Sequence, residues 1–78
     1  MKSIDYKGTT VEYDESRLTS WRWQRAVASG DTSRAFEAFD ELLGGRSDDV
    51  AEELGDSVDV MQELILQIME AEKANAKN

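Results

Sequence analysis

Two hydrophobic rhythms divide this chain. From Ile4 to Tyr13 apolar and polar positions alternate around Lys7-Gly8, and β-branched and aromatic residues dominate. That pattern predicts a short β-hairpin with Ile4, Tyr6, Val11 and Tyr13 making its buried contacts. No other strand is visible, and a lone hairpin is marginal in water, so it must lean on a helix. From Asp14 onward the period is helical. Asp14 or Ser16 caps a first helix reaching Ser29, and Gly30 ends it. Asp31 caps a second helix to Leu43 before Gly44-Gly45, and Ser47 caps a short third ending near Gly55. Asp56 or Ser57 opens the last. The expected fold is α+β, mainly α: one domain over residues 1–78, with a hairpin at 1–13, three to four helices within 14–74 and a frayed tail at 75–78.

Each helix carries a different apolar face. In the second, Ala35, Phe36, Phe39, Leu42 and Leu43 share one side and Glu37, Asp40 and Glu41 the other, which places both phenylalanines in the core. In the first, Leu18, Trp21 and Ala28 lie opposite Trp23, Ala26 and Val27, so Trp21 and Trp23 point in very different directions. Either one tryptophan packs on the helices and the other under the hairpin, or one stays exposed as an anchor for a partner, where Trp is enriched. The last helix is apolar over half its circumference, through Val58, Val60, Met61, Leu64, Ile65, Ile68, Met69 and Ala71, with Leu66 on the polar side. Its C-terminal half extends past what the short preceding helices cover. Leu64, Ile65 and Ile68, with the adaptable Met61 and Met69, are therefore expected to form a partner-binding face, with a second copy as one possible occupant.

Composition narrows the chemistry. A chain of 78 residues buries roughly 60% of its unfolded surface, so its one core is modest. The absence of Cys and His removes disulfides, the usual zinc sites and every imidazole-assisted nucleophile. Charge is unevenly placed. Residues 1–34 carry six basic and five acidic side chains, and residues 35–78 carry three and twelve, within a net charge of −8. Such a surface repels phosphate backbones, so no nucleic-acid partner is expected. No apolar run has signal-peptide or membrane-spanning length; the expected compartment is the cytoplasm, with no membrane partner.

Three constellations bear on catalysis or ligands. Gly44-Gly45-Arg46-Ser47-Asp48 has the glycines of a phosphate cradle but neither its spacing nor its Lys, and reads as a helix stop followed by a helix start. The run Asp48, Asp49, Glu52, Glu53, Asp56 and Asp59 lacks the alternating ligands and central Gly of a calcium loop, and reads as a solvated face. Glu37-x-x-Asp40 and Glu53-x-x-Asp56 resemble the paired carboxylates with which MazG-type nucleoside triphosphate pyrophosphohydrolases hold Mg²⁺, except that the first pair ends in Asp and a Gly-Gly break lies between the pairs. No metal, cofactor or catalytic residue is expected.

Another resemblance spans nearly the whole chain. The Tyr6-Lys7-Gly8 hairpin, Ser20-Trp21-Arg22-Trp23-Gln24-Arg25-Ala26, Ser29-Gly30-Asp31, Phe39-Asp40-Glu41-Leu42-Leu43-Gly44 and Asp59-Val60-Met61-Gln62-Glu63-Leu64, in that order, resemble the tail assembly chaperones of long-tailed bacteriophages and prophages. The resemblance implies a role in the host bacterial cytoplasm: binding the long, hydrophobic, helical tape measure protein and keeping it soluble until tail tube subunits polymerise around it. An acidic inhibitor or nucleic-acid mimic also fits the charge, but not the apolar surplus. With a chaperone, purified protein and Mg²⁺ are expected to release no pyrophosphate from nucleoside triphosphates; turnover that disappears in Glu53→Gln and Asp56→Asn would place the chain among the pyrophosphohydrolases.

Overall fold

The computed structural model describes the backbone of residues 1–76 and the side chains of residues 1–73. Strands β1 (Lys2–Tyr6) and β2 (Thr9–Tyr13) pair antiparallel in the register Tyr6↔Thr9 to Lys2↔Tyr13, leaving Lys7 and Gly8 as a two-residue loop. Both loop residues have positive φ, 51° and 82°. Two successive left-handed residues match the twist of the strands, which is why the loop contains Gly. Directly across the ladder, the Thr10 hydroxyl donates to the Asp5 carboxylate at 2.9 Å.

The helical part comprises a 3₁₀ turn (Glu15–Thr19), α1 (Trp21–Ala28), α2 (Thr32–Leu42), α3 (Ser47–Glu53) and α4 (Val58–Ala76). The fold is α+β, mainly α. The single first helix expected from Asp14 or Ser16 to Ser29 is in fact two pieces. Asp14 accepts from the Ser16 amide and hydroxyl to start the 3₁₀ turn; Ser20 then leaves helical geometry (φ −82°, ψ 126°), and its hydroxyl accepts from the Trp23 amide to start α1. A capping hydroxyl inside the run ends one helix and begins the next.

Asp31 caps α2 as expected, accepting from the amides of Ser33 and Arg34. The third helix differs. Ser47 lies inside it rather than capping it, and the Asp40 carboxylate of α2 takes the Ser47 amide at 3.2 Å and its hydroxyl at 2.5 Å. An orphan donor at this helix start is thus satisfied from a neighbouring helix. Ser57 opens α4, its hydroxyl accepting from the Val60 amide. That helix continues through residues 75–76, the first half of the expected frayed tail; residues 77–78 lie outside the described residues. No helix among the described residues is long and apolar enough to cross a membrane.

One core cluster joins all these elements. Tyr6, Val11 and Tyr13 enter it from the hairpin, Trp23 from α1, and Ala38 and Leu42 from α2; Leu43, Val50, Leu64, Ile65 and Ile68 complete it. The hairpin is held at two places. At its end, the Asp14 amide donates to the Leu42 carbonyl at 2.8 Å, and Arg46 donates to the carbonyls of Glu12 and Leu43. A Cβ on Gly44 (φ 68°) would come within 3.2 Å of the Met1 Cε, so the corner is tight. Along its face the hairpin meets α4: the Tyr13 hydroxyl donates to Glu72 at 2.8 Å, and Lys2 Nζ pairs with the same carboxylate at 3.0 Å.

This clasp has a pH signature. Burial pushes Glu72 upward, but bonds from Tyr13 and Lys2 outweigh it and hold the carboxyl below the usual 4.5. Burial, then Glu72, then Glu15 push Tyr13 from 10.0 up to about 12. A depressed carboxyl stabilises the fold fully above pH 4.5 and loses that contribution as pH falls through its folded value; a raised phenol stabilises below pH 10.0 and loses it as pH rises toward about 12. The Tyr6 hydroxyl, by contrast, is buried without a satisfactory hydrogen bond; burial and then the nearby Glu63 carboxylate hold its pKa up. Tyr13→Phe is accordingly expected to destabilise by about 1–2 kcal/mol, while Tyr6→Phe leaves stability unchanged or raised. Thermal melts at neutral pH test this pair, and the wild-type advantage over Glu72→Gln is expected to shrink as pH falls below 4.5.

Candidate protein-binding groove

The residues expected to form a partner face on α4 are divided by the fold. Leu64, Ile65 and Ile68 are buried, at 0%, 2% and 0% exposure, and Met61 and Met69 are half-buried against the same core. Tyr13 and Lys2 of the hairpin reach Glu72 on α4, the 3₁₀ turn packs on the same helix, and Leu64 and Ile68 have no free face. Among the described residues, the large apolar side chains that α4 exposes are Val58 and Leu66.

The tryptophans separate cleanly. Trp23 is 3% exposed, and its indole N–H donates to the Ala38 carbonyl at 2.7 Å. Trp21 is 74% exposed. With the helical phase reset at Ser20, Trp23, Ala26 and Val27 form the inner side of α1, and Leu18 reaches the core separately from the 3₁₀ turn.

The phenylalanines correct a further expectation. The inner stripe of α2 keeps Ala35, Phe39, Leu42 and Leu43 of the expected face but takes in Ala38 in place of Phe36, and the Ala38 carbonyl accepts from the Trp23 ring. Phe39 is half-buried and Phe36 is 47% exposed, rather than both lying in the core; their rings sit 6.4 Å apart at 38°. The i, i+3, i+4, i+7 spacing of 35, 38, 39 and 42 was the signal available in the sequence.

This displacement opens a groove of about 280 Å³ between α2, α3 and α4. Phe36, Phe39, Ala51, Val58, Met61 and Ile65 provide its apolar lining. Ile65 is buried and Met61 half-buried, whereas Phe36 and Val58 stand in solvent. At its edge lie Asp48 and Asp56, and no Lys or Arg is among its lining residues. The arginines are gathered elsewhere: Arg17, Arg22 and Arg34 face Glu37 and Glu41 in a second, polar cleft between the 3₁₀ turn, α1 and α2, where Arg17 lies 3.7 Å from Glu41. Of the residues expected at a partner site, the groove brings together Met61 and Ile65; Trp21 stands apart from it, and Leu64, Ile68 and Trp23 are core.

The paired carboxylates are not gathered for a metal. Asp40 is engaged at the start of α3, Glu37, Glu53 and Asp56 are exposed, and among the described residues no group of three acidic side chains is placed to hold an ion.

The two tryptophans make opposite predictions. Trp23→Ala is expected to cost about 3–5 kcal/mol, comparable to the whole stability of so small a domain, and Trp21→Ala within about 0.5 kcal/mol. In single-tryptophan variants, Trp21 emission is expected to be red-shifted and readily quenched by acrylamide, and Trp23 emission blue-shifted and protected.

No family model, curated protein or solved structure matches this chain.

Proposed function

We propose that the protein is an assembly chaperone of the phage-tail type, which takes apolar helical segments of the tape measure protein into the groove between α2, α3 and α4 and keeps them from aggregating until tail tube subunits enclose them. The observation that carries this reading is the groove itself: a chain with so small a core leaves Phe36 and Val58 in solvent beside a buried apolar floor. Apolar area gains about 25 cal/mol per Å² when removed from water, so side chains held in solvent around one concavity are a ready contact surface. Met61 on its wall, unbranched and polarisable, suits a surface that accepts varied helix faces. Trp21, exposed on α1, supplies a second aromatic contact outside the groove. The net charge of −8 keeps copies of the protein apart in solution, which a solubilising factor requires.

Affinity from such a surface comes from several side chains acting together, because ordering costs offset much of the burial gain. Co-expression with the long helical partner is therefore expected to keep that partner in the soluble fraction. Phe36→Asp with Val58→Asp is expected to abolish this while the circular dichroism spectrum is unchanged, since both side chains are exposed in the free protein. Leu66→Asp, on an exposed side of α4 outside the groove, is expected to leave solubilisation intact. Solubilisation that survives the double substitution would refute the groove as the chaperone surface.

A further inference from the structure

Resting on the reading of the groove as a docking site for helices, we infer that its occupant is a helix of another chain whose apolar stripe is flanked by Lys or Arg. The argument is charge complementarity. Asp48, in the first turn of α3, and Asp56, between α3 and α4, both line the groove and are both exposed. Asp56 holds a left-handed conformation (φ 55°) after Gly55 (φ 98°), and this turn brings the chain round into α4 with the carboxylate at the groove's edge. Asp49, Glu52 and Asp59, adjacent along the chain, are exposed as well. Charges act over about 8 Å at physiological salt, so the rim presents a negative field around an apolar floor, and no Lys or Arg is among the residues that line it.

Three occupants are separated by that field. A second copy would bring the same carboxylates, and an overall charge of −8, against themselves across a two-fold contact. A helix with neutral or acidic flanks would partly dehydrate the rim carboxylates and give them no partner. Lys or Arg beside the stripe lets the long side chains lay their methylenes on the apolar wall and their charges on Asp48 and Asp56. A volume of about 280 Å³ lies just below the usual range of small-molecule sites, so it takes a few side chains from one face of a helix and not the helix itself.

The test uses the full chain and two fluorescein-labelled peptides with one Leu/Ile stripe at i, i+3, i+4 and i+7, one flanked by Lys and the other by Glu, with binding read by fluorescence anisotropy. The Lys-flanked peptide is expected to bind at least about tenfold more tightly, an advantage that shrinks toward none as salt is raised to about 0.5 M. Phe36→Glu is expected to abolish binding. Asp48→Asn with Asp56→Asn, which keeps shape and suits the left-handed position, is expected to remove most of the discrimination between the peptides while the circular dichroism spectrum is retained. Equal binding of the two peptides would overturn the charge selectivity and leave the chaperone reading standing, since that reading fails on partner solubilisation instead. Binding indifferent to Phe36→Glu, or sedimentation showing self-association that Phe36→Glu removes, would overturn the proposed occupant.

Discussion

The contact between the hairpin and the C-terminal half of α4 is the constraint on which the rest of the molecule depends. The two partners need each other: a two-stranded sheet has no stable existence alone in water, and the α4 stripe of Leu64, Ile65 and Ile68 is buried in the same cluster as Tyr6, Val11 and Tyr13 of the hairpin. Tyr13 and Lys2 bonding to Glu72 bring residues 59 and 70 positions apart into register. With the hairpin in place, Tyr6, Val11 and Tyr13 become core rather than surface, and the modest core of a short chain becomes continuous from one end of the sequence to the other.

The other two attachments follow from that one. The hairpin ends at Asp14, whose amide reaches Leu42 at the close of α2, and Arg46 ties the start of α3 back to β2. The corner after α2 is thereby held on both sides, and Asp40 can reach across it to the start of α3. Asp40, the second residue of the first acidic pair, is thus engaged in a structural task.

The groove is what remains when this packing is complete. Because Trp23 seats its ring against Ala38, α2 is rotated so that Phe36 turns out of the core, toward the gap that α3 leaves beside α4. The apolar side chains left around the groove, Phe36 and Val58, therefore lie beside the N-terminal half of α4, whereas Leu64, Ile65 and Ile68 further on are buried. Its rim is acidic because Asp48 of α3 and Asp56 of the turn after it line it.

Local patterning along the chain was enough for the hairpin and its two-residue turn, for breaks at Gly30 and Gly44-Gly45, for the cap at Asp31, and for the acidic character of residues 35–78. These features depend on φ preferences, period and side chains within a few residues of each other. Tertiary structure alone decided which tryptophan is buried, which phenylalanine is not, and which part of α4 stays free. Periodicity states which residues share a face, but burial depends on what covers that face, and the cover here comes from residues up to 70 positions away. Even the break at Ser20 is of this kind: its hydroxyl satisfies α1 locally, but only the pairing of Trp23 with Ala38 makes that phase of the helix the one that enters the core.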